Sequence, residues 1–451
     1  MPYTEQVLGN ERNMNINLLL KDYGTLAFKR GKQFHQLLSQ LEQTETLNKE
    51  ALIKYQNYHL RKIVTYAYET VPYYQNLFKQ LNITPADIQT SQDLAILPLL
   101  TKEEIRGREL EFVSNKTKLK FKTNTSGTTG KPLKLYRDLF SINFENATLW
   151  RQKHWAKFEW KDKIATLRGQ LVVESDRAQP PFWQYLPVQK KLVMSSYHLC
   201  DQFIPAYLEK LRSFQPAAIE GYPSSVYKLA RYMEINRVDP LRVKAVFTSS
   251  EMLFDYQKEV ITKYFGQVFD HYGNAERVAY FGMCEFGNYH YGMDYSIVEF
   301  LPTQRQGIEQ IVGTTLHNFA MPLLRYVTGD LVQRSDQVCP CGRHFPVVKT
   351  IEGREDDYII TPSGKWIGRL SVVFRNIPNL VESQVIQEQL DYVRVLIVTT
   401  ADFNHHDEEI LKQKLWERLG SEIKIDLQKV QEIKRTKQGK SKLVVSNLQN
   451  N

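Results

Sequence analysis

The spacing of apolar positions changes twice along the chain. From Phe34 to Glu69 the run FHQLLSQLEQTETLNKEALIKYQNYHLRKIVTYAYE sets apolar residues three and four apart, which predicts helices with one buried face. From about Lys163, short and nearly continuous apolar runs take over: KIATLRG, KLVMSSYH, AAIEGYP, VKAVFTSSE and QVFDHYG. Each predicts a strand ending in a loop, and between them FIPAYLEKLRSF and SSVYKLARYMEI return to helical spacing. Strand and helix in alternation imply a parallel sheet covered by helices, with ligands expected beyond the carboxyl ends of the strands. After about Gly353 the style changes again. YVRVLIVTTA and EIKIDLQKV predict strands on either side of DEEILKQKLWERLG, a helix with Leu411, Leu415 and Leu419 on one face and Gly420 at its end. The expected fold class is therefore α/β, with parallel-rich sheets covered by helices in a large part and a small α+β module behind it.

Composition narrows this picture. A chain of 451 residues is too long for one ordinary core, so two or three domains are expected. With 42% hydrophobic and 24% charged residues it reads as globular and not as disordered. No apolar run approaches the ~18 residues of a membrane span, and the N-terminus has no apolar signal core, so the expected location is cytoplasmic. The net charge of +9 does not call for a nucleic-acid partner, because 59 Lys and Arg are scattered among 50 Asp and Glu. Only KRTKQGKSK near the C-terminus is densely basic. Such a surface suits anionic small molecules.

Four cysteines rule out a disulfide scaffold, but their positions carry a metal reading. Cys284 and His290 stand six apart in MCEFGNYHYG, and Cys339 and Cys341 form CPCGRH. Three thiols and an imidazole suit a closed tetrahedral Zn²⁺ site of structural type, with His344 as an alternative to His290. Two pairs of ordinary buried thiols are the competing reading. Cys200 stands alone and is expected in the core.

The stretch Thr123–Asp138, TNTSGTTGKPLKLYRD, sets small and hydroxylated residues between two glycines and a lysine. Glycines let backbone N–H groups approach an anion, and hydroxyls plus an ammonium complete a phosphate cradle. It is not a Walker A loop: Thr125 stands where the opening glycine belongs, and Pro132 follows Lys131 in place of the Mg²⁺-binding hydroxyl. Phosphate bound here needs another architecture.

Further short stretches follow: SSEML (249–253), HYGNAE (271–276), RYVTGD (325–330), GREDDYI (353–359) and RTKQGKSK (435–442). Singly each is weak. In this order and spacing the set resembles the adenylate-forming (acyl-activating) enzymes, and within them the phenylacetate–CoA ligase and CapK-like branch. The resemblance covers about residues 60 to 445 and leaves the first 60 outside. It implies a helical extension over 1–60, a large adenylate-forming domain over 61–352 and a mobile C-terminal lid domain over 353–451.

The implied chemistry is attack of a carboxylate on the α-phosphorus of ATP, giving an acyl adenylate and pyrophosphate, then transfer to an acceptor. The resemblance implies CoA as that acceptor. Alternatives are adenylyl or acyl transfer to a non-CoA acceptor in polysaccharide or cofactor biosynthesis, and a catalytically weak nucleotide-binding homologue. It assigns Ser126, Gly127, Thr128, Thr129, Gly130 and Lys131 to the departing phosphates. Glu276 is assigned to Mg²⁺, which bridges phosphate oxygens as a Lewis acid. Tyr272 would lie near the adenine beside Ser250 and Glu251, with Gly273, Asn274, Ala275 and Arg354 completing the nucleotide site. Asp330 would accept hydrogen bonds from the ribose hydroxyls. Tyr222, Pro223 and His271 are expected to line the acyl pocket, Asp356 to be the hinge, and Lys440 to be the catalytic lysine carried in by the lid. Ala275 departs from the family pattern, which has threonine before the glutamate. The expected partners are a small carboxylic acid, ATP and CoA, and a homodimer is compatible with the sequence.

Overall fold

All five apolar runs form strands, Ile164–Arg168, Lys191–Ser195, Ala218–Gly221, Ala245–Ser249 and Val268–Gly273. They lie side by side and pair in parallel throughout. The computed structural model describes residues 16–125, 133–169, 172–174, 177–354, 359–364, 366–367, 370, 373–374, 377–436 and 439–448. The runs are apolar on both sides because both faces of this block are covered, as parallel sheets require. On one face Ala165, Leu167, Ile219 and Val246 pack against Leu208 and Leu211 of the Ile204–Phe214 helix and Val226 and Leu229 of Pro223–Ile235. On the other, Ala218, Ala245, Phe247 and Phe269 meet Phe144, Ala147 and Trp150 of the Leu139–Trp155 helix, backed by Phe34, Leu37 and Leu38. Each fully buried Leu, Ile, Val or Phe side chain of this kind contributes about 1.5–3 kcal/mol.

Beyond Val268–Gly273 the sheet turns antiparallel. Tyr280–Met283, Tyr289–Tyr291, Val347–Arg354, Tyr326–Arg334, Glu309–Thr315 and Ser296–Pro302 follow in that spatial order, and Trp183–Leu186 closes the other edge. This gives twelve strands among the described residues. The spacing of apolar residues did not predict this half. Its ladders shift register at Gln310/Val312, Leu331/Val332 and Gln333/Arg334, and such bulges erase the alternation that marks a strand.

A second, four-stranded sheet combines Lys424–Lys429, Tyr392–Thr399, Leu380–Gln389 and Val444–Ser446. The His405–Leu419 helix lays Leu411, Leu415 and Leu419 onto Val385, Val393, Val395 and Ile397, the face expected from its spacing. Asn404 opens that helix by accepting from the N–H groups of His406 and Asp407 at 2.9 and 3.3 Å, and Gly420 ends it at φ +83°. No helix among the described residues is long and apolar enough to cross a membrane.

Among the described residues the helices Ile16–Lys29, Lys32–Thr44 and Lys49–Thr70 come first, the last running through residue 60. One buried ion pair locks the second of them onto the large sheet. The Arg151 guanidinium, fully buried in the Leu139–Trp155 helix, pairs with buried Asp294 and donates to the Leu41 carbonyl at 2.9 Å. Thr44 Oγ1 donates to the same carboxylate at 2.5 Å, and Glu45 accepts from Trp155 Nε1 at 2.7 Å. Removing one partner strands a buried charge, which destabilises far more than the pair stabilises. Asp294→Ala is therefore expected to lose about 3–5 kcal/mol of unfolding free energy, read from the shift of the urea midpoint.

Candidate active site

Parallel pairing brings the carboxyl ends of neighbouring strands to one edge. Gly221 is in register with Thr248, and Ser249 with His271, so the residues that follow emerge together. Gly221 must be glycine: a Cβ there would stand 2.8 Å from the Leu167 carbonyl oxygen and 2.9 Å from Val226 Cγ2. Tyr222 then caps the Pro223–Ile235 helix, whose first turn starts with Pro223. After the next strand Ser250 takes a left-handed backbone, φ +71°, a conformation that costs a non-glycine residue of order 1 kcal/mol and that clusters at functional sites. The turn aims Glu251 back across the edge, where its carboxylate accepts from the Ser224 N–H at 3.1 Å.

The other Glu251 oxygen accepts from the Ser441 N–H at 2.6 Å, which fastens the C-terminal loop over the strand ends. Ser441 Oγ and Arg435 both reach Glu382, at 3.1 and 2.8 Å. Gly439, at φ +71°, leaves room for only a hydrogen beside Gly169, because a Cβ would meet the Gly169 Cα at 3.0 Å. Thr436 turns the loop, its N–H donating to the Lys440 carbonyl at 3.0 Å and its Oγ1 accepting from the Lys440 N–H at 3.1 Å. The Lys440 ammonium lies 6.0 Å from the Tyr222 ring centroid, at the outer limit of cation–π range. Lys440, Tyr222 and Glu251, distant in sequence, are thus one cluster.

A second cluster forms one strand further on. Tyr272 Oη donates to Asp330 at 2.6 Å, and burial holds this phenol far above its usual pKa, so it stays a neutral donor. Tyr326 Oη donates to Glu276 at 3.1 Å. Arg137 donates to the Ala275 carbonyl at 2.7 Å, and the Asn274 side chain accepts from the Val278 N–H at 3.1 Å. Asp330 and Arg354 are cross-strand partners in backbone register. Ser126, Gly127, Thr128, Thr129, Gly130, Lys131 and Asp356 lie outside the described residues, as does the side chain of Arg354.

The cysteine motifs also converge. The ligand atoms of Cys284, His290, Cys339 and Cys341 all lie within 4.8 Å of one another. Cys284 and Cys339 Sγ are 3.6 Å apart, and Cys341 Sγ is 3.4 Å from His290 Nε2. A tetrahedral site with ordinary metal–sulfur and metal–nitrogen bonds needs ~3.8 and ~3.6 Å, so the donor set fits a metal. His290 Nδ1 sits 2.8 Å from the Phe345 carbonyl, which fixes the ring with Nε2 turned inward. Burial lowers the pKa of His290, favouring the neutral ring a metal requires. His344 is not in the cluster. Cys200 is half-buried and a free thiol.

Comparison with known proteins follows the same outline. Residues 359–447 match the family model of the CapK C-terminal domain. Protein CapK of Staphylococcus aureus is 24% identical over 443 residues, covering 96% of this chain and 97% of the relative. A phenylacetate–coenzyme A ligase of Thermus thermophilus is 26% identical over 70% of this chain and 73% of its own length. The chain is thus similar along nearly its whole length to a CapK protein, and over about 70% of it to phenylacetate–coenzyme A ligases. The fold agrees: a solved 2-hydroxyisobutyryl-CoA ligase in the postadenylation state, 18% identical, superimposes with a TM-score of 0.69 over 90% of this chain and 92% of its own. The same enzyme in its thioesterification state gives 0.54.

One group of residues in this CapK-like chain escaped the motifs. Arg168, at the end of its strand, donates to Ser249 Oγ at 2.7 Å and pairs with Glu220 at 3.1 Å. Lys153 meets the other Glu220 oxygen at 2.7 Å. Burial, then the nearby Arg168 cation, hold His271 down at about 3, so its ring is neutral. The available signal was Glu220 itself, a lone carboxylate inside the apolar run AAIEGYP.

Glu251 carries both the Ser224 and the Ser441 contacts, so neutralising it tests how the C-terminal loop is held. Glu251→Gln weakens a charge-assisted bond, and amide exchange at Ser441 is expected to quicken about tenfold while Val246–Thr248 amides stay protected. Mass-spectrometric hydrogen exchange reads both; unchanged exchange at Ser441 would show that the loop is held elsewhere.

Proposed function

We propose that this chain is an AMP-forming acid ligase that activates a carboxylic acid as its acyl adenylate, releases pyrophosphate, and passes the acyl group to an acceptor, CoA first among them. The observation that carries this is the Lys440 loop fastened by Ser441 and Glu251 over the strand ends. Attack of a carboxylate on the α-phosphorus crowds negative charge at one atom, and a positioned ammonium stabilises that charge as it develops. Lys440 is the group for that role. Tyr222, Pro223 and neutral His271 line the acyl side without adding a competing charge. Asp330 accepts from the ribose hydroxyls and Tyr272 lies against the adenine, with Ser250, Glu251, Gly273, Asn274 and Ala275 around it. Ser126 to Lys131 receive the departing phosphates, Arg354 completes the nucleotide site, and Asp356 is the hinge about which the lid rotates. Glu276, with Tyr326 orienting its carboxylate, would hold Mg²⁺, which when bound neutralises phosphate oxygens.

The Cys284, His290, Cys339 and Cys341 cluster is proposed to hold Zn²⁺ as a structural clamp. It joins the Tyr280–Met283 and Tyr289–Tyr291 hairpin to the connection between Tyr326–Arg334 and Val347–Arg354. Closed thiolate–imidazole sites contribute folding energy and leave no open position for chemistry. Purified protein is expected to carry about one zinc per chain, and Cys339→Ser or Cys341→Ser to lose the metal and melt several degrees lower. Metal analysis beside a thermal melt checks this, and wild-type protein without zinc after reconstitution would refute it.

The ligase reading is tested at Lys440. Lys440→Ala is expected to slow carboxylate-dependent pyrophosphate exchange by roughly 10²–10³-fold, the range for deleting one preorganised transition-state donor. ATP affinity should change little, and acyl transfer started from a synthetic acyl adenylate should be spared. Equal slowing of both half-reactions would make Lys440 a structural residue.

A further inference from the structure

On the face of the parallel sheet beneath the Leu139–Trp155 helix, cations outnumber the anions that answer them. Glu220 is gripped by Lys153 and Arg168 at 2.7 and 3.1 Å. Among the described residues the same carboxylate is the one anion named among the charges acting on Lys191, at the start of its strand, and on Lys29 and Arg30, at the end of the Ile16–Lys29 helix. None of Lys29, Arg30 and Lys191 has a carboxylate within salt-bridge distance among the described residues. Arg30 instead lies over the Trp150 ring, 4.4 Å from its centroid.

Two buried cations elsewhere are matched by carboxylates. Arg151 has Asp294 and Glu45, and Arg277 pairs with Glu145. Here five cations share one carboxylate. Burial, aided by like-charged neighbours, lowers Lys191 to about 8, and burial lowers Arg30 to about 10. Holding such charges together with little access to water is unfavourable unless an anion joins them. Two polar atoms beside the group are also buried with no hydrogen-bond partner among the described residues, Arg168 Nε and His271 Nδ1. Both belong to the activating edge: Arg168 is bonded to Ser249, and His271 is the register partner of Ser249. The cationic group therefore runs from the strand ends to Lys29, which is exposed at its outer end.

We propose that the acid activated by this chain carries a second anionic group, a carboxylate or a phosphate ester, seated among Lys29, Lys153, Arg168 and Lys191. This rests on the ligase reading and gives that site a substrate class. It also gives the N-terminal helices a task, because the Ile16–Lys29 helix delivers Lys29, with Arg30 directly after it. Glu220 serves as the fixed counter-charge that aims Lys153 and Arg168.

Binding tests the inference without turnover. Calorimetry on the full chain would compare the monocarboxylates butyrate to octanoate with the dicarboxylates succinate to suberate, and with ω-phosphohexanoate. At least one dianionic acid is expected to bind tenfold or more tightly than its neutral-tailed counterpart, as one charge-assisted contact allows. In Lys191→Met and in the exposed Lys29→Gln that preference should shrink severalfold, while hexanoate binds as before. Equal affinity across each matched pair, or a preference that survives both substitutions, overturns the inference. Pyrophosphate exchange with the same acids reads the ligase reading separately. Selective binding with no exchange from any acid would count against the ligase alone, and exchange supported equally by neutral-tailed and dianionic acids would count against the second anionic group alone.

Discussion

Five strands paired in parallel constrain everything else in this molecule. Parallel pairing sends every following loop out of the same edge, with neighbours ~4.8 Å apart. The segments after Arg168, Ser195, Gly221, Ser249 and Gly273 are therefore adjacent whatever their distance in sequence. The C-terminal loop uses this. Gly439 packs on Gly169 and on Ser196 and Tyr197, while Ser441 reaches Glu251, so one short turn touches the ends of three strands. The close fit depends on two glycines, Gly221 and Gly439, where a methyl would collide with backbone.

The same pairing sets the electrostatics. Side chains alternate between sheet faces, so Ala218 and Glu220 point to the side of the Leu139–Trp155 helix while Ile219 joins the opposite core. A register slip of one residue would carry Glu220 into that apolar core and leave Lys153 and Arg168 without an anion. The buried Arg151–Asp294 pair works at longer range, seating the N-terminal helices so that Lys29 and Arg30 arrive at the sheet.

The parallel strands were legible because burial on both faces makes a strand apolar at every position. The His405–Leu419 helix was legible because its leucines repeat at helical spacing and Gly420 stops it. The antiparallel half was not, since bulges and short strands leave no regular period over Tyr280–Arg354. Four metal-type donors could be picked out by residue type, whereas choosing His290 over His344 needed the Tyr289–Tyr291 strand to carry one ring inward. Lys29, Arg30 and Lys191 left no mark in the sequence. A lysine at a helix or strand end reads as solvated, and only the fold reveals that several such ends meet.

Ala275 stands where the resemblance to adenylate-forming enzymes leads one to expect threonine, and its surroundings explain why the turn still holds. The Ala275 methyl packs against the apolar cluster of Leu100, Ile105, Val278, Met321 and Leu323. A hydroxyl there would add a polar atom beside apolar neighbours. The polar partner comes instead from Arg137, whose guanidinium crosses from the neighbouring hairpin to the Ala275 carbonyl. Arg137 also feels the Glu276 carboxylate, and its buried Nε has no partner within the protein. Asn274 and Tyr326 fix the two sides of the same turn. Rigidity at Glu276 thus comes from the carbonyl, the Asn274 cap and the Tyr326 phenol, none of which depends on a threonine at position 275.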